Sequence, residues 1–151
     1  MFGREKSPFA VVVKSALEEA RQRGDRRLGT EHLLLGLLHH PESARALGVG
    51  VEGARAALDD LDREALGMLG LDVGDVPRTP RKHPPVPGTA LTSSARAVIN
   101  RAIKQTTART RSAAAPREIA LALLAQGRPD PVAQLVDRLG IDRAAVRARL
   151  A

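Results

Sequence analysis

The sequence predicts an all-α protein of two pseudo-symmetric repeats, each of about four short helices, packed as one compact helical domain. Three observations predict it. Apolar residues recur at helical spacing along most of the chain, a proline-rich stretch divides it once, and the second half repeats the apolar pattern of the first. A length of 151 residues suits one compact domain, or two small halves sharing a core, and falls short of a multidomain enzyme. The hydrophobic fraction of 43% supports a packed core. With Phe2 and Phe9 as the sole aromatics, that core is aliphatic, and stacking on nucleic-acid bases is nearly excluded.

The first helix is read from Val12, Val13, Ala16, Leu17 and Ala20, an amphipathic stripe that Gly24 ends. Gly29-Thr30-Glu31-His32 opens the next. Thr30 is the expected N-cap, and Glu31 favours the positive end of the helix dipole. The apolar run Leu33 to Leu38 is too continuous for a surface helix, so this helix is the buried centre of its half. Val51 to Leu66 repeats amphipathic spacing at Ala54, Ala57, Leu58, Leu61 and Ala65, and is expected on the surface of the same core. Pro77 to Gly88 contains five prolines and cannot continue a helix, because each lacks an amide donor and restricts the residue before it. Beyond it, Thr92 is the expected N-cap of a helix over 92–109.

The internal repeat is the most informative feature. At an offset of 86, Val12, Val13, Ala16 and Leu17 meet Val98, Ile99, Ala102 and Ile103, and Leu33, Leu35, Leu37 and Leu38 meet Ile119, Leu121, Leu123 and Leu124. At an offset of 92, Leu47-Gly48-Val49 meets Leu139-Gly140-Ile141. The first copy is therefore six residues shorter between these blocks, where PVAQLVDR makes a full helix in copy two and PESARA is expected to make a turn in copy one. The organisation is residues 1–66 as repeat one, 67–90 as linker and 91–151 as repeat two.

Charge is uneven. The formal net charge is +7, yet residues 1–65 carry 10 cations against 11 acids, while residues 91–151 carry 11 against 4. A basic half can face a phosphate-rich partner such as a nucleic acid, but these arginines are scattered at helical spacing without a tight cluster, which reads as a solvated face. Cysteine is absent, excluding disulfides, thiolate metal sites and a cysteine nucleophile. No apolar run approaches a membrane span, and Phe9 to Val13 is too short for a signal sequence, so a soluble, cytoplasmic protein is expected.

Glu18-Glu19-Ala20-Arg21, Gly24 and the string GTEHLLLGLL over Gly29 to Leu38 closely resemble the first Clp repeat of the N-terminal domain of ClpC-type unfoldases. Leu91-Thr92-Ser93-Ser94-Ala95-Arg96 resembles the opening of the second repeat, where that family has an aromatic-Thr-x-x-Ala-Arg pattern. The resemblance covers about the whole chain. In the family this domain precedes two ATPase modules and recruits adaptors and substrates. Here none of Lys6, Lys14, Lys82 and Lys104 follows a glycine, so no Walker A loop is present, and a stand-alone binding protein that needs no cofactor is expected.

The resemblance also implies sites. Some members recognise phosphoarginine, each repeat offering the Glu of its GTEH motif to the guanidinium and the Thr of its opening motif to the phosphate. Glu31 matches the first Glu and Thr92 the second Thr. By register Lys6 stands at the first Thr, and Arg117 replaces the second Glu, with Glu118 one residue on. The family domain also binds cyclic-peptide antibiotics on an apolar patch, which implies Phe2 and Val13, with His83 a partial remnant of that surface. His32 and His39 are seven apart but lack the spacing and carboxylate of a zinc protease, so His32 reads as a helix-terminal hydrogen-bonding residue and no metal is expected. No Ser-His-Asp arrangement is legible. The resemblance thus implies a non-catalytic protein- or peptide-binding module of the Clp protease system, an adaptor, regulator or decoy whose partners are Clp components, substrates or adaptors. The alternatives are a phosphoarginine-tag reader and nucleic-acid binding by the basic half.

Overall fold

A computed structural model describes residues 7–71, 83–107 and 110–151, with eight helices among them. They are α1 (Pro8–Arg23), α2 (Thr30–Leu37), α3 (Pro41–Leu47), α4 (Val51–Met68), α5 (Ser93–Lys104), α6 (Arg111–Leu124), α7 (Pro131–Arg138) and α8 (Arg143–Leu150). The fold is all-α, four helices to each repeat. Phe2, Lys6 and part of the proline-rich stretch lie outside the described residues.

Residues from Leu33 to Leu38 are buried throughout, and α2 packs against α1, α4, α5, α6 and α7. Three of those partners belong to the other repeat. The closest approach is to α1, at Gly36, where a β-carbon would stand 2.7 Å from the Ala16 nitrogen and 2.7 Å from the Val12 carbonyl oxygen. Phe9, Val12, Ala16 and Ala20 form the facing stripe of α1.

Helix ends follow a shared device. Gly24, Gly48, Gly70 and Gly140 all take positive φ, and at each the following residue donates its N–H back five positions, as Asp25 does to Ala20 (2.9 Å) and Ile141 to Val136 (3.2 Å). The Leu-Gly-Val and Leu-Gly-Ile blocks are thus the same helix stop in both repeats.

Several boundaries differ from expectation, each for a local reason. PESARAL is a helix, α3, and not a turn: Pro41 is preset at its first position, and His40 Nδ1 accepts the Ser43 N–H (3.3 Å) as an N-cap. The six residues missing from copy one come mostly from the loop before this helix. The helix predicted over 92–109 stops at Lys104, although Thr92 does cap it, accepting the Ala95 N–H (3.2 Å). α4 runs through Met68, two residues past its expected end. Pro116 lies inside α6 at the position matching Thr30, so the second repeat has extended its helix backward by a turn.

Two arginines strap α4 onto the body. Arg23 reaches Asp59 (2.7 Å) and Asp62 (2.6 Å), and Arg55 grips the buried Glu19 through Nη2 (2.5 Å) and Nε (3.1 Å), with His39 on the same carboxylate (2.8 Å). Burial pushes the Glu19 carboxyl up, but the hydrogen bonds from Arg55 and His39 outweigh it and hold the group below the usual carboxylate range.

Candidate functional site

The start of α2 departs from the expected cap. Gly29, in extended backbone, takes the N-cap position, and Thr30 is already helical. The Thr30 hydroxyl is instead directed to Asp130, the N-cap of α7, and accepts the Val132 N–H (3.3 Å), so it ties the two repeats together. The orphan N–H of Gly29 is satisfied by His32 Nδ1 (2.9 Å), the side chain reaching back three residues. Because Nδ1 accepts, the ring carries its proton on Nε2, which donates to Asp25 (2.8 Å). His39 turns to Glu19, so the two histidines serve different carboxylates.

Glu31 folds back over Gly29. A β-carbon there would lie 1.7 Å from Glu31 Oε1, so the carboxylate occupies the space a side chain would take. Burial pushes the Glu31 carboxyl above its ordinary value; His32 opposes the shift, and Asp25 reinforces it.

The segment before α2 is bonded to the segment before α5. Leu28 donates to the Ala90 carbonyl (2.8 Å) and accepts from Thr92 N–H (2.9 Å), a single parallel bridge between Leu28 and Leu91. That bridge places the opening of repeat two beside the α2 start of repeat one. Glu31 and Thr92, which register assigns to different sites, therefore line one cleft of about 350 Å³, with Asp25, Arg26 and Arg27 around it. A second cleft, of about 380 Å³, adjoins it and shares Asp25 and Arg26; His83 and the residues Pro84 to Pro87 line its other side. The His83 ring abuts Gly24, and its carbonyl accepts from Arg21 Nε (2.9 Å).

The remaining sequence-derived residues lie apart. Val13 is half-buried against the core, and Glu118, 13% exposed, is paired with Arg117 at 3.3 Å. Arg26 and Arg27 carry no recognisable motif. The signal that finds them is positional: between a helix stop at Gly24 and a helix start at Gly29, any side chain borders the start of α2. Among the described residues, several second-half cations are engaged within the chain: Arg128 and Arg143 on Asp137 (3.0 and 2.8 Å), Arg138 on Glu64, and Arg147 and Arg149 on the carbonyls of Leu124 and Ala46.

Together these features describe an all-α double repeat with a cleft between the repeats at the start of α2. Residues 7–134 match the family model described as the Clp repeat N-terminal domain, and the chain belongs to that family. It is also 24% identical, over 99% of its length, to an ATP-dependent Clp protease ATP-binding subunit ClpA homolog of Cyanidium caldarium, of which it spans 16%. No helix among the described residues is long and apolar enough to cross a membrane.

Proposed function

We propose that this chain is a non-catalytic protein- or peptide-binding module of the Clp protease system, acting as adaptor, regulator or decoy toward Clp components, their substrates or adaptors. The observation that carries the reading is the cleft joining Glu31 and Thr92 across the two repeats. It offers a carboxylate, a hydroxyl and arginine side chains in one concave place, a setting for recognition by hydrogen bonds and charge. The same pairing supports a narrower reading, a phosphoarginine-tag reader in which Glu31 takes the guanidinium and Thr92 lies on the phosphate side. ClpC-directed cyclic peptides are a third class of ligand. Nucleic-acid binding is disfavoured, because so many second-half arginines are held by internal partners.

The test is a degradation assay. Excess chain is expected to slow degradation of an adaptor-delivered substrate by a ClpC protease assembly, and Glu31→Ala to weaken the effect. Calorimetric titration with phosphoarginine, and separately with a ClpC-directed cyclic peptide, then assigns the ligand. An unchanged degradation rate together with silence in both titrations refutes the reading.

A further inference from the structure

We propose that the trough where the two clefts meet takes an extended acidic peptide, its carboxylates on Arg26 and Arg27 and a preceding apolar side chain among the proline rings. The proposal rests on the protein-binding reading above and names the chemistry that binds.

Four observations converge. The clefts, about 350 and 380 Å³, share Asp25 and Arg26, so they adjoin along that loop as one trough. Arg26 and Arg27 are exposed, and among the described residues neither has a carboxylate within ion-pair distance; Arg27 reaches only the Leu91 carbonyl, at 3.4 Å. Their neighbours are engaged, Arg21 by Glu18 and Arg23 by Asp59 and Asp62. The loop carrying the two guanidinium groups is fixed at both ends, by the helix stop at Gly24 and by the Leu28–Leu91 bridge, so little ordering is lost on binding.

The rest of the trough sets the ligand's other features. Pro84, Pro85 and Pro87 present exposed rings without N–H donors, anchored by Val86, which is buried in the core, and the rings complement an aliphatic side chain. Asp25, the acid nearest the arginine pair, accepts from His32 and lies 3.8 Å from Arg23 Nε, so its charge is already shared with other partners. Glu31, deeper in the cleft, repels anions from the floor and keeps the peptide's carboxylates at the rim. Glu31→Gln is therefore expected to tighten acidic-peptide binding, the opposite of its effect on a guanidinium ligand.

The experiment is fluorescence anisotropy with a fluorescein-labelled peptide carrying one leucine followed by a run of aspartate and glutamate. Its controls replace the acids with asparagine and glutamine, or with lysine. The acidic peptide is expected to bind about tenfold tighter than the neutral one, with affinity falling as salt rises. The double variant Arg26→Glu/Arg27→Glu is expected to lose about tenfold and to prefer the lysine peptide, and Arg26→Gln/Arg27→Gln to lose part of that without reversal. Equal affinity for neutral and acidic peptides overturns the charge assignment while leaving a peptide binder, as does an unchanged affinity in the glutamate variant. Absence of binding by every peptide overturns this inference alone, since the degradation assay decides the broader reading.

Discussion

Gly36 is where α1 and α2 come closest, and its replacement by alanine has a calculable outcome. The added carbon would lie 2.7 Å from two α1 backbone atoms and 3.0 Å from the Ala16 Cα, against ordinary contacts of about 3.5–4.0 Å. Backbone atoms cannot rotate away, so the helices must part by most of an ångström across a close-packed core. Such overpacking costs about 1–3 kcal/mol, and alanine's better helix propensity returns at most about 1 kcal/mol. Gly36→Ala is thus expected to destabilise by about 1–2 kcal/mol, lowering Tm by roughly 3–8 °C for a domain of this size. Gly53, in α4, is the internal control, since nothing lies within 4 Å of its β-carbon position. There the same substitution is expected to stabilise by about 0.5–1 kcal/mol. Urea unfolding followed by circular dichroism measures both. If the two variants shift stability alike, close approach of the helices is not what requires glycine in α2.

Two further outcomes concern charge. Arg55→Met leaves the Glu19 carboxylate, 3% exposed, with His39 alone, and is expected to cost about 3 kcal/mol at neutral pH in denaturant unfolding. Because Glu19 titrates below 4.5 in the folded protein, its contribution is present above that pH and lost as pH falls through its folded pKa; a wild-type stability profile without this acid loss refutes the assignment. Glu31 has the opposite sign: its folded pKa lies above 4.5, so its contribution is present below that pH and lost as pH rises through the folded value. Glu31→Gln is therefore expected to raise stability by about 0.5–1 kcal/mol at neutral pH, measured by the same unfolding curves, and no gain there counts against a burial penalty.

What the sequence makes legible here is local or periodic. The run Leu33 to Leu38 announces a helix without a solvent face, the two Leu-Gly blocks announce matching helix stops, and Thr92 announces its own cap. The misses arise from partners distant in the chain. Thr30 has every local mark of an N-cap, but its hydroxyl goes to Asp130, 100 residues on. PESARAL is too short to be helical on propensity, and is held by its cap and by burial of Leu47. Register assigns Glu31 and Thr92 to separate repeats, and only the Leu28–Leu91 bridge reveals that they face one cleft. For Arg26 and Arg27 the sequence marks only a position between two helix ends, and what lies beside them comes from the bridge.

The burial of α2 by helices from both repeats has an evolutionary corollary. A single ancestral repeat would expose the apolar side that α5, α6 and α7 now cover, and the simplest remedy is a symmetric pair of identical chains. In such a pair both clefts are copies, and any substitution strikes them together. Fusion into one chain releases that constraint: Glu31 stands on one side and its counterpart, Arg117, of opposite charge, on the other. The two helix starts are then free to differ in charge, which a symmetric pair of identical chains would forbid.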